Sequence, residues 1–145
     1  MKPSDRDLAE RACEKLVKQF AVFNDTDQLE RVADLFTEDG SFARPLDPIN
    51  PTIGRSAILS MLQSRPPRLS RHYMTNILVD VVSDTEATGI SFVTFLTTTE
   101  VDAPRPVVCE PKMYMGEYHD TFVFTVEGWK IKSRKGNLTM IFEPG

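Results

Sequence analysis

The chain has 145 residues, 41% hydrophobic and 26% charged, with a formal net charge of −4, the composition of an ordinary globular protein with one domain over residues 1–145. Lys and Arg are spread along it rather than gathered in a stripe, so nothing attracts a phosphate backbone and nucleic acid is excluded as a partner. No apolar run approaches the ~20 residues of a bilayer span, and Met1-Lys2-Pro3-Ser4-Asp5-Arg6 lacks the apolar stretch of a signal peptide; a cytoplasmic protein without membrane contact is expected.

Residues 7–23 place Ala9, Ala12, Cys13, Leu16, Val17, Phe20 and Phe23 at helical spacing, the stripe of an amphipathic helix. Asn24, Asp25 and Thr26 offer N-cap oxygens for a second helix, which Leu29, Val32, Ala33 and Phe36 continue until Glu38-Asp39-Gly40 ends it. Ser41–Arg44 reads as a short strand, after which Pro45, Pro48 and Pro51 argue against regular structure as far as Gly54. A third helix runs from about Ser56 to Gln63 and is stopped by Pro66-Pro67.

From residue 70 the hydrophobic period changes from 3.6 to 2 and β-branched and aromatic residues dominate. Arg71–Val82 and Ala87–Thr99 read as long strands around a polar turn, Lys112–Val126 as a third, then Trp129–Arg134 and a last strand at Leu138–Phe142. Three N-terminal helices followed by a strand meander predict an α+β fold, a curved antiparallel sheet with the helices on one face. Long strands must twist, so a pocket is expected between sheet and helices. Cys13 and Cys109 are far apart and read as free thiols.

Leu35-Phe36-x-x-Asp39-Gly40, Gly54-Arg55-x-Ala57-Ile58, Arg71-His72-x-x-Thr75-Asn76, Gly116-x-Tyr118-x-Asp120-x-Phe122 and Gly128-Trp129-Lys130-Ile131-x-x-Arg134 occur in that order. Over about residues 8–135 this series resembles the SnoaL-like proteins of the nuclear-transport-factor-2-like superfamily, and the resemblance implies a cone-shaped fold. That fold hosts isomerases, dehydratases, cyclases, hydrolases, dioxygenase small subunits and pure binders. The ketosteroid-isomerase branch implies an oxyanion-hole Asp at Asp120, but it puts Phe20 where that branch has a Tyr and Arg44 where it has its base. A guanidinium cannot act as a base at neutral pH. The scytalone-dehydratase branch implies a catalytic Asp at Asp25 and a His at His72, while its second His would fall near Thr97–Thr99 and is absent.

On these grounds His72 is the candidate proton carrier, an imidazole able to take or give a proton, and it shares a strand face with Met74 and Asn76. Asp25 either orients His72 or caps the second helix. Asp120 shares a face with Tyr118 and Phe122; burial there would make it a hydrogen-bond donor or acid, and the alternative is an ion pair with Arg134. Tyr118 is a wall residue or an oxyanion donor, Arg44 a ligand for a carboxylate, phenolate or enolate or else a surface ion-pair partner, and Phe20, Met74 and Asn76 complete the expected substrate site. His119 has the opposite strand parity to Asp120 and is left outside. No metal-ligand set and no cofactor motif is evident.

The expected function is cofactor-independent acid–base catalysis, a dehydration, isomerisation or cyclisation of a hydrophobic oxygenated small molecule such as a polyketide or terpenoid. Two alternatives stay open: a non-catalytic small subunit resembling those of ring-hydroxylating dioxygenases, and a small-molecule carrier. A homodimer is also expected, through Tyr73, Ile77 and Val79 on the convex face of a long strand. Native mass spectrometry at nanomolar concentration tests this expectation, which predicts a persistent dimer and is overturned by a stable monomer.

Overall fold

The structure is a computed structural model that describes all 145 residues. Helix α1 spans Pro3–Asp25, α2 Leu29–Ala33 and α3 Arg55–Ser64; the strands are β1 Phe36–Arg44, β2 Asp47–Ile53, β3 Leu69–Val81, β4 Glu86–Thr98, β5 Met113–Thr125 and β6 Gly128–Phe142. They form one curved six-stranded sheet in the order β2-β1-β6-β5-β4-β3. The α+β class is as the sequence predicts, with one topological difference: β1 runs parallel to β6, so the sheet is mixed. The return from β2 through α3 to β3 makes this possible, because β3 to β6 then form an antiparallel meander whose last strand lies beside β1.

Helix α1 carries its apolar stripe onto the sheet, burying Ala9, Cys13, Leu16, Val17 and Phe20. Each large aliphatic or aromatic side chain so buried contributes roughly 1.5–3 kcal/mol. The helix also runs further than its periodicity suggests. Asp25 is its last residue rather than the cap of α2, and α2 begins after Gln28 with no side-chain cap. The second helix is correspondingly short. Phe36 keeps helical spacing with Val32 but starts β1, because its neighbours find backbone partners in β6: the Ile131 N–H donates to the Leu35 carbonyl at 2.8 Å. Phe36 is fully buried in β1, and its helical spacing with Val32 in the sequence is equally that of a core residue.

The proline-rich segment is the other revision, since residues 47–53 form a strand, β2. It lies at the sheet edge, where Pro48 and Pro51 need donate nothing to a further strand. The two last predicted strands are likewise one, β6. Cys13 is buried and Cys109 exposed, and both are free thiols.

Two bulges decide which side chains face the interior. In β3 the register slips between Thr75 and Leu78, and Asn76 takes a positive φ of 51° there. Before the bulge His72 and Met74 point inward; after it the inward set is Ile77, Val79 and Val81. This corrects two expectations together. Asn76 is exposed rather than in a pocket, and Ile77 and Val79 pack on the core rather than on the convex face. The outward apolar side chains of β3 are instead Tyr73 and Leu78, with Phe92 beside them on β4. The second bulge falls between Thr121 and Phe122 of β5, opposite Ser133 and Ile131. The extra residue, Lys132, turns Arg134 inward beside Asp120.

Gly116 on β5 sits at a further register shift, where an added Cβ would lie 2.2 Å from the Asn137 carbonyl oxygen. Backbone cannot yield as a flexible side chain does. Gly116→Ala is therefore expected to destabilise the fold by about 2 kcal/mol or more, read as a melting temperature several degrees lower in a thermal scan.

Candidate active site

The wide end of the cone holds a cavity of about 280 Å³ between α1, α3, the segment after α3 and the inner face of β1, β3, β4 and β5. Its walls are aromatic and aliphatic, including Phe20, Phe42, Met61, Leu62 and Phe95. Phe20 meets Phe42 edge-on at 5.2 Å and Tyr118 at 6.2 Å, so these rings form one rigid lining. A larger depression of about 610 Å³ lies outside, against Tyr73, Leu96 and Arg105, but it is open to solvent and contains neither member of the Asp–His pair. The titratable groups converge on the smaller, more enclosed cavity.

His72 reaches that cavity from the first turn of β3, and Asp25 reaches His72 from the end of α1. Their carboxylate and imidazole are 2.6 Å apart, Asp25 Oδ1 to His72 Nδ1, and both side chains are almost wholly buried. The other carboxylate oxygen, Oδ2, accepts the His72 backbone N–H at 2.6 Å, and Oδ1 also accepts the Ser70 hydroxyl at 2.8 Å. Burial pushes the Asp25 carboxyl up, yet the bonds and charge of His72 and the Ser70 bond together outweigh it and hold the group below the usual carboxylate range. An ionised carboxylate only accepts, so Nδ1 carries the proton and Nε2 is the nitrogen free to exchange one. The ring plane is fixed as well: His72 stacks on Phe95 at 5.0 Å, and Phe95 on Tyr114 at 4.8 Å.

The other predicted site residues divide into two groups. Phe20, Arg44 and Tyr118 line the same cavity as His72. Burial raises the Tyr118 phenol above its ordinary range, with Arg134 opposing, so it stays a protonated donor. Asp120, Met74 and Asn76 do not reach the cavity wall. Met74 packs against the core, and Asn76 is exposed at the bulge.

Asp120 faces Arg134 across β5 and β6, Oδ1 and Nε lying 3.3 Å apart, with both side chains fully buried. The pair lacks hydrogen-bond alignment. Its guanidinium is held between ring faces instead, 3.8 Å from the Tyr118 centroid and 4.4 Å from that of Phe20. Burial pushes the Asp120 carboxyl up to about 6 against the pull of Arg134 and His119. Of the two roles open to Asp120 in the sequence, the geometry is that of an ion pair supporting the cavity floor from below.

Sequence reasoning missed Asn24, Arg65, Arg68, Phe95 and Thr99, all of which line the cavity. The arginines carry a signal in the sequence: Arg65 and Arg68 flank Pro66-Pro67, a rigid pair that both stops the third helix and fixes the positions of its neighbours. Nowhere do three His, Cys, Asp or Glu side chains converge as a metal-ligand set, and no helix is long and apolar enough to cross a membrane.

A profile of the SnoaL-like domain matches residues 6–135. The chain belongs to the SnoaL-like family. Among solved structures it is similar to a candidate scytalone dehydratase from Novosphingobium aromaticivorans, 29% identical over 98% of this chain and 92% of that one, with a TM-score of 0.79. It shares the fold of the type 2 hexachlorocyclohexane dehydrochlorinase LinA, 18% identical over 97% and 92% of the chains with a TM-score of 0.81. The same fold appears in ActVI-ORFA from Streptomyces coelicolor, 22% identical over 87% and 94% of the chains with a TM-score of 0.70. No curated protein matches the chain in sequence.

The two buried carboxylates of this SnoaL-like chain push stability in opposite directions with pH. Asp25, held low in the folded state, contributes stability present above its unfolded pKa of about 4 and lost as pH falls through the folded value. Asp120, raised to about 6, contributes stability present below about 4 and lost as pH rises through 6. Urea unfolding across pH 3–7 should therefore show a loss below pH ~4 that Asp25→Asn flattens, and a gain from pH ~7 to ~5 that Asp120→Asn removes. The prediction fails if either slope survives its substitution.

Proposed function

We propose that this SnoaL-like protein is a cofactor-independent acid–base enzyme that eliminates water from a hydrophobic oxygenated small molecule, of the size and character of a polyketide or terpenoid, held in the cavity beside His72. The observation that carries the reading is the Asp25–His72 pair: a fixed tautomer with one nitrogen free, its ring buried at the wall of the enclosed cavity. A histidine serving only as packing would not need its tautomer set by a doubly bonded carboxylate.

In the proposed step, Nε2 of His72 takes a proton from the carbon next to a carbonyl. The C–H electrons move into the carbon framework and the carbonyl oxygen becomes negative. Tyr118, kept protonated by burial, donates to that oxygen. The oxyanion then collapses, the bond from the β carbon to its hydroxyl breaks, and the departing hydroxyl takes the proton from His72 and leaves as water. Asp25 touches no substrate atom; it positions the ring and balances the transient imidazolium. The cavity of about 280 Å³ suits a molecule of a few fused or linear carbon units. The similarity to a candidate scytalone dehydratase supports elimination of water over other outcomes of the same machinery.

A panel of cyclic and linear β-hydroxy ketones, followed by enone absorbance and by deuterium uptake from solvent at the α carbon, tests this reading. Wild type is expected to accelerate one or both signals on at least one member. His72→Gln should lower kcat by about 10²–10⁴-fold, and Asp25→Asn by about 10- to 100-fold with little change in KM. An unchanged rate in His72→Gln, or no acceleration by wild type on any member, would overturn it.

A further inference from the structure

The charges around the cavity are unbalanced. Arg44, Arg65 and Arg68 line it, and no Asp or Glu does. The nearby acids are committed elsewhere or lie outside. Asp25 is held by His72 and Ser70, Asp47 meets Arg44 on the outer surface at 3.9 Å, and Asp27 is exposed. Arg65 makes one bond, from Nη2 to the Asn24 carbonyl at 3.3 Å. Arg68 has its Nε buried with no partner, and so has the Asn24 side-chain oxygen. Burial, then the neighbouring Arg68, disfavours the cationic form of Arg65 against the pull of Asp27 and Asp25, and burial does the same to Arg68 against the pull of Asp25 and Tyr118.

Both arginines are half-buried and neither forms an ion pair with the nearby Asp25 or Asp27, and a partly desolvated guanidinium left without a bonded anion favours an anionic ligand. The Arg65-Pro66-Pro67-Arg68 segment holds two of these groups on a stiff backbone at one side of a chamber that also carries an aromatic and aliphatic wall. Planar forks of this kind match a carboxylate, which can accept two parallel N–H bonds from one guanidinium. The apolar remainder of the wall, from Phe20, Phe42 and Phe95, fits a hydrocarbon body and not a polyanion such as a nucleotide.

We infer that the cavity binds an apolar carboxylic acid in its ionised form, with the carboxylate gripped by Arg68 and Arg65 and the carbon body laid against the phenylalanine wall. The inference deepens the proposed function by naming the substrate class, and it rests on the reading of this cavity as the substrate site. It assigns Arg68 and Arg65 to binding, separate from the proton transfer at His72.

Binding is measured by isothermal titration at neutral pH with cyclohexanecarboxylate, benzoate and 2-naphthoate, each beside its primary amide as a neutral isostere. Wild type is expected to bind at least one of the carboxylates, and to prefer it over its amide by about tenfold or more. Arg68→Gln should bring that carboxylate to the level of its amide while a thermal melt shows the variant folded. Arg65→Gln, expected to lose part of the preference, provides the reading if Arg68→Gln does not fold. In His72→Gln the preference should persist. Equal affinity within every pair, binding of no carboxylate, or a preference abolished by His72→Gln but retained by Arg68→Gln would overturn the inference. A chain that prefers carboxylates but catalyses no elimination would lose the proposed reaction and keep the anion subsite; one that eliminates water without the preference would keep the reaction and lose the subsite.

Discussion

A carboxylate at the end of a helix is in the wrong place electrostatically. The C-terminus of a helix carries partial negative charge, and α1 has no basic residue in its last turn to offset the carboxylate of Asp25. What holds that group is β3: the imidazole and backbone N–H of His72 and the hydroxyl of Ser70 all point at it. The clamp thus ties the end of the long helix to the start of a long strand, and it sets the wide end of the cone. It also fixes the one imidazole in the interior to a single tautomer. A local rule broken by Asp25 is compensated by three tertiary hydrogen bonds, the pattern expected where a fold gives up local consistency for a functional arrangement.

From this anchor the rest of the cavity follows through the parity of the strands. The bulge near Asn76 lets β3 offer His72 and Met74 on one side of the slip and Ile77, Val79 and Val81 on the other, all toward the same interior. The bulge at Lys132 does the same for β6, and it places Arg134 under the Phe20 and Tyr118 rings. Each extra residue costs ladder regularity and returns curvature, so the open sheet bends around a chamber instead of flattening.

Charge is distributed in this interior with a clear division. One buried pair, Asp25 with His72, is hydrogen-bonded and adjoins the cavity; the other, Asp120 with Arg134, is stacked among aromatic rings beneath it. Arg65 and Arg68 line the cavity without bonding to either pair, though the Asp25 charge acts on both. Tyr118 joins these groups, since its ring carries the Arg134 guanidinium on one side and lines the cavity on the other.

Much of this was open to reading in one dimension. The α+β order, the apolar stripe of α1 and the long strands depend on local periodicity, which the chain carries in every conformation, while the family resemblance pointed to Asp25 and His72 and left open whether Asp25 orients the ring or caps a helix. Tertiary structure alone decided where α1 ends, that the proline segment makes an edge strand, that β1 lies parallel to β6, and which face Asn76, Val79 and Arg134 take. A bulge is a single-residue slip with no distinctive composition, yet it inverts every inward and outward assignment beyond it. The arginines beside Pro66-Pro67 were hidden for a related reason. Their place in the chain is visible beside the prolines, but that they line a cavity wall with no Asp or Glu on it is a property of the fold.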